Sequence, residues 1–175
     1  MTLRIQGDRA LKIPKTARPT ASKVRSALFN IWQNLVMDCS WLDVCAGSGA
    51  VSAEALLRGA RRVVAIEINH HACRILADNL TKAGSAERVQ IIRGDAAKVI
   101  TKLTGTFDLV YFDPPYESNL YFSILSIIDR VCHSSTKVAV EHSSYYSLPA
   151  QIGLMTQTDR RVYGQTCLSF FELGG

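Results

Sequence analysis

Five short apolar runs between residues 41 and 140, each separated from the next by a segment long enough for a helix, constrain this chain more than any other feature. Residues 41–45, 62–68, 89–92, 107–112 and 137–140 read as strands, and 51–58, 70–83, 96–103 and 120–132 as the helices between them. Strands joined by helices of that length require right-handed crossovers and a parallel sheet. After residue 150 the pattern changes. Residues 154–161 and 166–173 are two strand candidates joined through Tyr163-Gly164 with no helix between them, which predicts an antiparallel hairpin closing one sheet edge. The predicted fold is α/β and Rossmann-like: a mostly parallel sheet of seven strands with an antiparallel C-terminal hairpin, flanked by helices. Such a sheet binds ligands at the carboxyl ends of its strands, near the point where strand order reverses.

The segment ahead of the alternation is different in character. Residues 1–19 form a basic arm in which Leu3, Ile5, Leu11 and Ile13 suit a short hairpin around Gly7-Asp8, punctuated by Pro14 and Pro19. Thr20 can then cap a helix along which Val24, Ala27, Leu28, Ile31, Trp32 and Leu35 make one apolar face. The expected organisation is an arm over 1–19 and a single domain over 20–175, a length that supports one real core. The net charge is +5, but residues 1–25 carry seven Lys or Arg against one Asp, a net +6, so the other 150 residues sum to −1. A basic end of that kind suits a polyanion.

Several classes are excluded early. A hydrophobic content of 47% with 20% charged residues describes a globular chain and not a disordered one. No apolar run approaches the ~20 residues of a membrane span, and Met1-Thr2-Leu3-Arg4 opens no signal-peptide core, so a cytoplasmic protein is expected. Five cysteines, an odd number without a CxxC, argue against a disulfide framework or zinc ribbon. His70, His71 and Cys73 lie close together but lack further ligands, so no metal is expected.

Four motifs fall at predicted strand ends. In Asp43-Val44-Cys45-Ala46-Gly47-Ser48-Gly49-Ala50 a strand enters a glycine-rich turn and then a helix, whose free N–H groups suit the carboxylate of an amino-acid ligand while Asp43 suits its ammonium. Ser52 stands where a dinucleotide fingerprint would place a third glycine, which disfavours a nicotinamide cofactor. Glu67 ends the second strand, 18 residues past Gly49, and can accept both hydroxyls of a ribose. Asp95, in Gly94-Asp95-Ala96 after the third strand, can accept from an adenine amino group or cap the next helix.

The fourth is Asp113-Pro114-Pro115-Tyr116, directly after the fourth strand. Two prolines fix the backbone and remove two N–H donors, so Asp113 and the Pro114 carbonyl can both accept from one NH₂ group. An exocyclic base amine is a poor nucleophile because its lone pair is delocalised into the ring. Two acceptors aimed at its protons favour a pyramidal nitrogen able to attack a methyl sulfonium, and Tyr116 offers a face on which the base can stack. The set expected to hold S-adenosylmethionine is Asp43, Ala46, Gly47, Ser48, Gly49, Glu67, Ile68, Asp95 and Ala96, with catalysis at Asp113, Pro114, Pro115 and Tyr116.

Together with Arg18-Pro19-Thr20, Val24-Arg25, Leu28-Phe29-Asn30, Glu54-Ala55-Leu56 and Arg58-Gly59-Ala60, these motifs resemble the bacterial RsmD-like family from about residue 3 to the closing hairpin. The resemblance implies a class I S-adenosylmethionine-dependent methyltransferase fold and methylation of guanine N2 in 16S ribosomal RNA, on an assembling or assembled small ribosomal subunit, by an enzyme that need not be more than a monomer. It also implies that Arg4, Arg9, Lys12, Arg18, Thr20 and Arg25 meet RNA. Ser22 and Ser26 stand where the family carries acids, Cys45 where it carries an aromatic and Ser52 where it carries glycine. A DNA adenine-N6 methyltransferase shares the fourth motif but needs a target-recognition region for which 175 residues leave little room. A protein-glutamine methyltransferase would begin that motif with Asn. A non-catalytic RNA-binding protein with a relic pocket should have lost it.

Overall fold

The computed structural model describes residues 2–5, 9–12, 22–83, 86–116 and 119–174. At the start, β1 (Thr2–Ile5) pairs antiparallel with β2 (Arg9–Lys12), Thr2 opposite Lys12. The Gly7-Asp8 turn expected between them, and the capping Thr20, lie outside the described residues. Helix α1 (Ser22–Ile31) ends before Leu35, because an i to i+3 bond from Leu35 N to Trp32 O (2.8 Å) tightens the chain into turns. Trp32 and Val36 remain buried through those turns and Leu35 is exposed.

Strand and helix then alternate as the apolar runs predict: β3 (Ser40–Val44), α2 (Ala50–Leu57), β4 (Arg62–Glu67), α3 (His70–Ala83), β5 (Val89–Arg93), α4 (Ala96–Ile100), β6 (Phe107–Phe112) and α5 (Leu120–Leu125). The helix expected to reach residue 132 stops at Leu125, and a 3-10 turn (Ile128–Val131) leads into β7 (Cys132–Ser143). That strand is longer than 137–140 because Phe107 pairs with Cys132 at one end and Ser143 with Thr166 at the other. The chain closes with β8 (Gln151–Ile152), β9 (Met155–Tyr163) and β10 (Thr166–Leu173).

The main sheet has the order β5-β4-β3-β6-β7-β10-β9-β8. Its first five strands are parallel, and the hairpin β9–β10 adds antiparallel to β7, with Gly164 supplying the left-handed turn residue (φ 65°). Eight strands therefore stand where seven are expected, the extra one being the two-residue β8 at the edge. Strand order reverses at β3, whose two neighbours are β4 and β6.

Alternation along each strand splits the core into two layers. Trp41, Val63, Leu109, Tyr111, Leu168 and Phe170 pack with α1, α2 and α3 residues, and Leu42, Val44, Val110, Phe112, Val138 and Phe171 with α4 and α5 residues. Phe29 stacks on Trp41 (centroids 5.5 Å apart) and Trp32 meets both Trp41 and Phe170 edge-on, which seats α1 over the middle of the sheet.

Candidate functional site

The carboxyl ends of β3, β4, β5 and β6 are neighbours in the sheet, and each delivers one of the sequence motifs. After β3 the chain turns through Cys45 (φ 68°), Gly47 (φ 54°) and Gly49 (φ 75°). Only glycine fits at 49: a Cβ there would lie 2.2 Å from Leu76 Cδ1, besides the cost of its left-handed backbone. At Gly47 a Cβ would meet nothing within 4 Å, so the turn is open on that side. Cys45 adopts the same left-handed region without being glycine, an uncommon and strained conformation of the kind that clusters at functional sites.

The turn is pinned from beneath. Ala46 N donates to Ile66 O (2.9 Å), Gly49 N to Ala46 O (2.8 Å), and the buried Asn79 of α3 donates its side-chain amide to Ser48 O (2.8 Å). Glu67 bridges the ends of β3 and β4: one carboxylate oxygen accepts Gly47 N (2.8 Å) and the other Asn69 N (2.7 Å). Each oxygen thereby holds one backbone N–H and retains a lone pair for a hydroxyl. Asp43 is buried below the turn on the α2 side, where Ser52 Oγ donates to it at 2.5 Å. Burial pushes its carboxyl up to about 7, with the charge of Glu67 acting in the same direction and the Ser52 bonds against it.

Asp95 caps α4, accepting Lys98 N at 3.0 Å, with the buried Ala96 following it. Ile68 is exposed beyond Glu67. Asp113 is partly buried, its N–H on Val44 O (3.2 Å), so the DPPY segment is tied to the end of β3. Pro114 is buried, Pro115 exposed and Tyr116 half-buried. The Cys45 thiol reports how the acids converge. It is pushed up to about 12, first by burial and then by Glu67, Asp113, Asp43 and Asp95, which all act on this one point.

Of the expected RNA contacts, Arg4, Arg9 and Lys12 fall on β1 and β2, and Arg18 and Thr20 lie outside the described residues. Arg25 is a correction. Its side chain is 4% exposed and its Nε donates to Glu54 at 2.6 Å, which makes it an internal cross-link between α1 and α2 and not a surface for phosphates. Among the described residues no group of three or more His, Cys, Asp or Glu side chains is arranged to hold a metal, and no helix is long and apolar enough to cross a membrane.

Two residues absent from the sequence reading belong to this site. Asn79 holds the glycine turn, and Glu141, buried at the end of β7 beside β6, accepts from the Tyr111 hydroxyl (2.6 Å) and from that of Tyr116 (3.4 Å).

A family model described as Conserved hypothetical protein 95 matches residues 4–172. The chain is 27% identical over 165 residues to "Putative rRNA methyltransferase YlbH" of Bacillus subtilis, covering 91% of this chain and 90% of that protein. It is 31% identical over 125 residues to "Ribosomal RNA small subunit methyltransferase D" of Escherichia coli, covering 69% of this chain and 62% of that one. A solved structure described as "Putative methyltransferase yhhF from Escherichia coli" superposes with a TM-score of 0.88 at 26% identity, over 99% of each chain. The fold is that of the class I methyltransferases.

Proposed function

The chain belongs to the RsmD-like family described as Conserved hypothetical protein 95, and from that premise we propose that it transfers a methyl group from S-adenosylmethionine to the exocyclic N2 amine of a guanine in 16S ribosomal RNA. The observation that carries this reading is the convergence of Asp43, Glu67, Asp95 and Asp113 around the glycine turn at the switch point of the sheet. The ribosomal RNA half is supported by the names of the relatives and by the basic arm.

The residues present fit the cofactor. The turn is open at Gly47, α2 begins there without a side-chain cap at Gly49, and Glu67 keeps acceptor capacity for ribose hydroxyls. Asp43, Ala46, Gly47, Ser48 and Gly49 would hold the amino-acid end, Glu67 and Ile68 the ribose, and Asp95 and Ala96 the adenine. When bound, S-adenosylmethionine supplies an electrophilic methyl group on a sulfonium. Two buried acids, Asp43 and Glu67, with Asp95 and Asp113 partly buried beside them, are a costly arrangement by themselves and a favourable one beside a ligand carrying positive charge.

The chain's part in the chemistry is then positioning and electrostatics. Asp113 and the Pro114 carbonyl accept from the two N–H bonds of the guanine amine and turn its lone pair out of conjugation. The nitrogen's new bond to the methyl carbon would replace that carbon's bond to sulfur, leaving the thioether S-adenosylhomocysteine; the nitrogen becomes positively charged, and Asp113 stabilises that charge until the proton passes to solvent. A carboxylate of ordinary basicity suffices, because the proton becomes acidic only after the new bond has begun to form. Tyr116 provides the stacking face, and Arg4, Arg9, Lys12, Arg18 and Thr20 would hold RNA phosphates. The enzyme would act in the cytoplasm as a monomer, on a small subunit or its precursor.

The test is incubation with S-adenosylmethionine labelled in the methyl group and three substrates: naked 16S RNA, small subunits lacking the modification, and duplex DNA. Label at guanine N2 of RNA is the expected result. Label on DNA adenine, or on no nucleic acid, overturns the assignment.

A further inference from the structure

Beneath the DPPY segment a polar network centred on the buried Glu141 joins Tyr111, Tyr116 and Thr166. Glu141 is 2% exposed, at the end of β7 and next to the strand that carries Asp113. The Tyr111 hydroxyl donates to one of its oxygens at 2.6 Å. The Tyr116 hydroxyl stands 3.4 Å from the other oxygen and 3.0 Å from Thr166 Oγ1, the first residue of β10. A carboxylate buried in a sheet persists only when its oxygens are bonded, and here hydroxyl donors reach both of them. Burial and the nearby Asp113 and Glu141 push the Tyr111 phenol well above its usual range, so it stays protonated and continues to donate.

The consequence falls on Tyr116. Its backbone follows two prolines, which restrict it from one end, and its hydroxyl is anchored at the other end to two different strands. A ring held at both ends has one orientation and presents a fixed face. Resting on the reading that Tyr116 receives the target base, we propose that Glu141, with Thr166, is a positioning residue: it tethers the Tyr116 hydroxyl and so sets the plane against which the extruded guanine stacks while its amine meets Asp113. Glu141 itself does not touch the base. The β9–β10 hairpin gains a role in the reaction by the same argument, because Thr166 opens β10 and pairs with Ser143 of β7.

The test is a mutant cycle read by single-turnover methyl transfer to whichever RNA the wild-type protein modifies, with cofactor affinity measured by calorimetry. Tyr116→Phe keeps the ring and removes the tether; Thr166→Val and Glu141→Gln remove or weaken its anchors; Thr166→Ser restores the hydroxyl. Each of the first three is expected to lower the rate roughly tenfold, the scale of a small misplacement at a reacting centre. Thr166→Ser should return close to the wild-type rate, and cofactor affinity should not change. The double variant Tyr116→Phe with Thr166→Val should be no slower than the slower single variant, because both break one tether. Should Thr166→Val fail to fold, Tyr116→Phe combined with Glu141→Gln closes the same cycle. Multiplicative losses, or wild-type rates in the single variants, overturn the inference while leaving the methyltransferase reading intact. A wild-type protein that methylates no RNA overturns both.

Discussion

Asp43 and Asp108 stand on adjacent strands of one sheet, near its carboxyl edge and at its amino edge respectively, and their carboxyls shift in opposite directions. Burial acts to raise both. At Asp108 the bonds from Ser40 N and Ser40 Oγ (2.7 Å each) and the His133 ring (3.1 Å) outweigh it and hold the group below its usual range. At Asp43 one serine is not enough, Glu67 adds its own charge, and the group rises to about 7. Glu54, in α2, has both oxygens taken by arginines, Arg25 (2.6 Å) and Arg58 (2.8 Å). Acids in the body of the protein are cross-links between elements. Acids at the carboxyl edge crowd one another, and a cationic ligand would relieve them.

The largest effect is expected where a cross-link is cut. Arg25→Ala leaves Glu54 buried with one of its two charge partners gone, and should cost about 3–5 kcal/mol of stability in denaturant unfolding. The salt dependence of RNA binding should be unchanged. Arg18→Ala should do the reverse, leaving stability alone and reducing the salt slope by roughly one unit. Equal salt slopes in both variants would break the distinction between Arg25 as a cross-link and Arg18 as an RNA contact.

At the edge the loss should appear in turnover. Asp113→Ala is expected to lower methyl transfer by about 10²–10³-fold, as when one preorganised acceptor or donor is removed from a transition state. Cofactor affinity should stay within a few-fold, because the residue lies on the acceptor side. Retained turnover would sink the proposed role for Asp113.

Most of this arrangement is legible in the amino-acid sequence. Strand ends are legible because apolar runs stop at polar residues: Asp95 follows Gly94, Asp113 precedes Pro114, Asp43 lies just ahead of the glycine turn and Glu67 closes residues 63–66, so the four acids are visible as a series. What was missed depends on contacts distant in sequence. Glu141 sits in an apolar run as an ordinary strand acid, and only the pairing of β7 with both β6 and β10 puts Tyr111, Tyr116 and Thr166 around it. Arg25 has a local signal: Phe29, at i+4 on α1, and Trp32, at i+7 just past its end, are both buried, so an arginine in line with them is drawn inward. The apolar face of Val24, Ala27, Leu28, Ile31, Trp32 and Leu35 leaves out Phe29 and Arg25, and the structure buries both. The left-handed Cys45 had no signal, because a cysteine carries no preference for that conformation.

Asp43 makes the comparison measurable by pH. Its folded value of about 7 lies above the unfolded value near 3.8, so the folded protein binds the extra proton and this group's contribution to stability falls as pH rises between those values. An ammonium seated against it would favour the ionised form and release the proton. Cofactor affinity should therefore rise with pH from about 5 to about 7, by up to about tenfold per unit, and level off above. Asp43→Asn should bind more weakly at neutral pH and lose the slope. A flat profile in the wild-type protein would mean that Asp43 does not meet the cofactor's charge.

The smallest effect belongs to Asp108, whose side chain is 44% exposed. Its bonds to Ser40 join β3 to β6 at the edge away from the site, so Asp108→Asn should cost about 1 kcal/mol or less of stability at neutral pH, reduced by solvent screening. Methyl transfer should be unchanged. Because the folded carboxyl lies below its usual range, the contribution is present above the unfolded value and disappears as pH falls through the folded one. Wild type and variant should therefore converge in stability on acidification, whereas Asp43 gives the opposite trend. A constant gap between the two unfolding curves down to about pH 3 would show that Asp108 acts through shape alone, and its opposition to Asp43 would no longer be electrostatic.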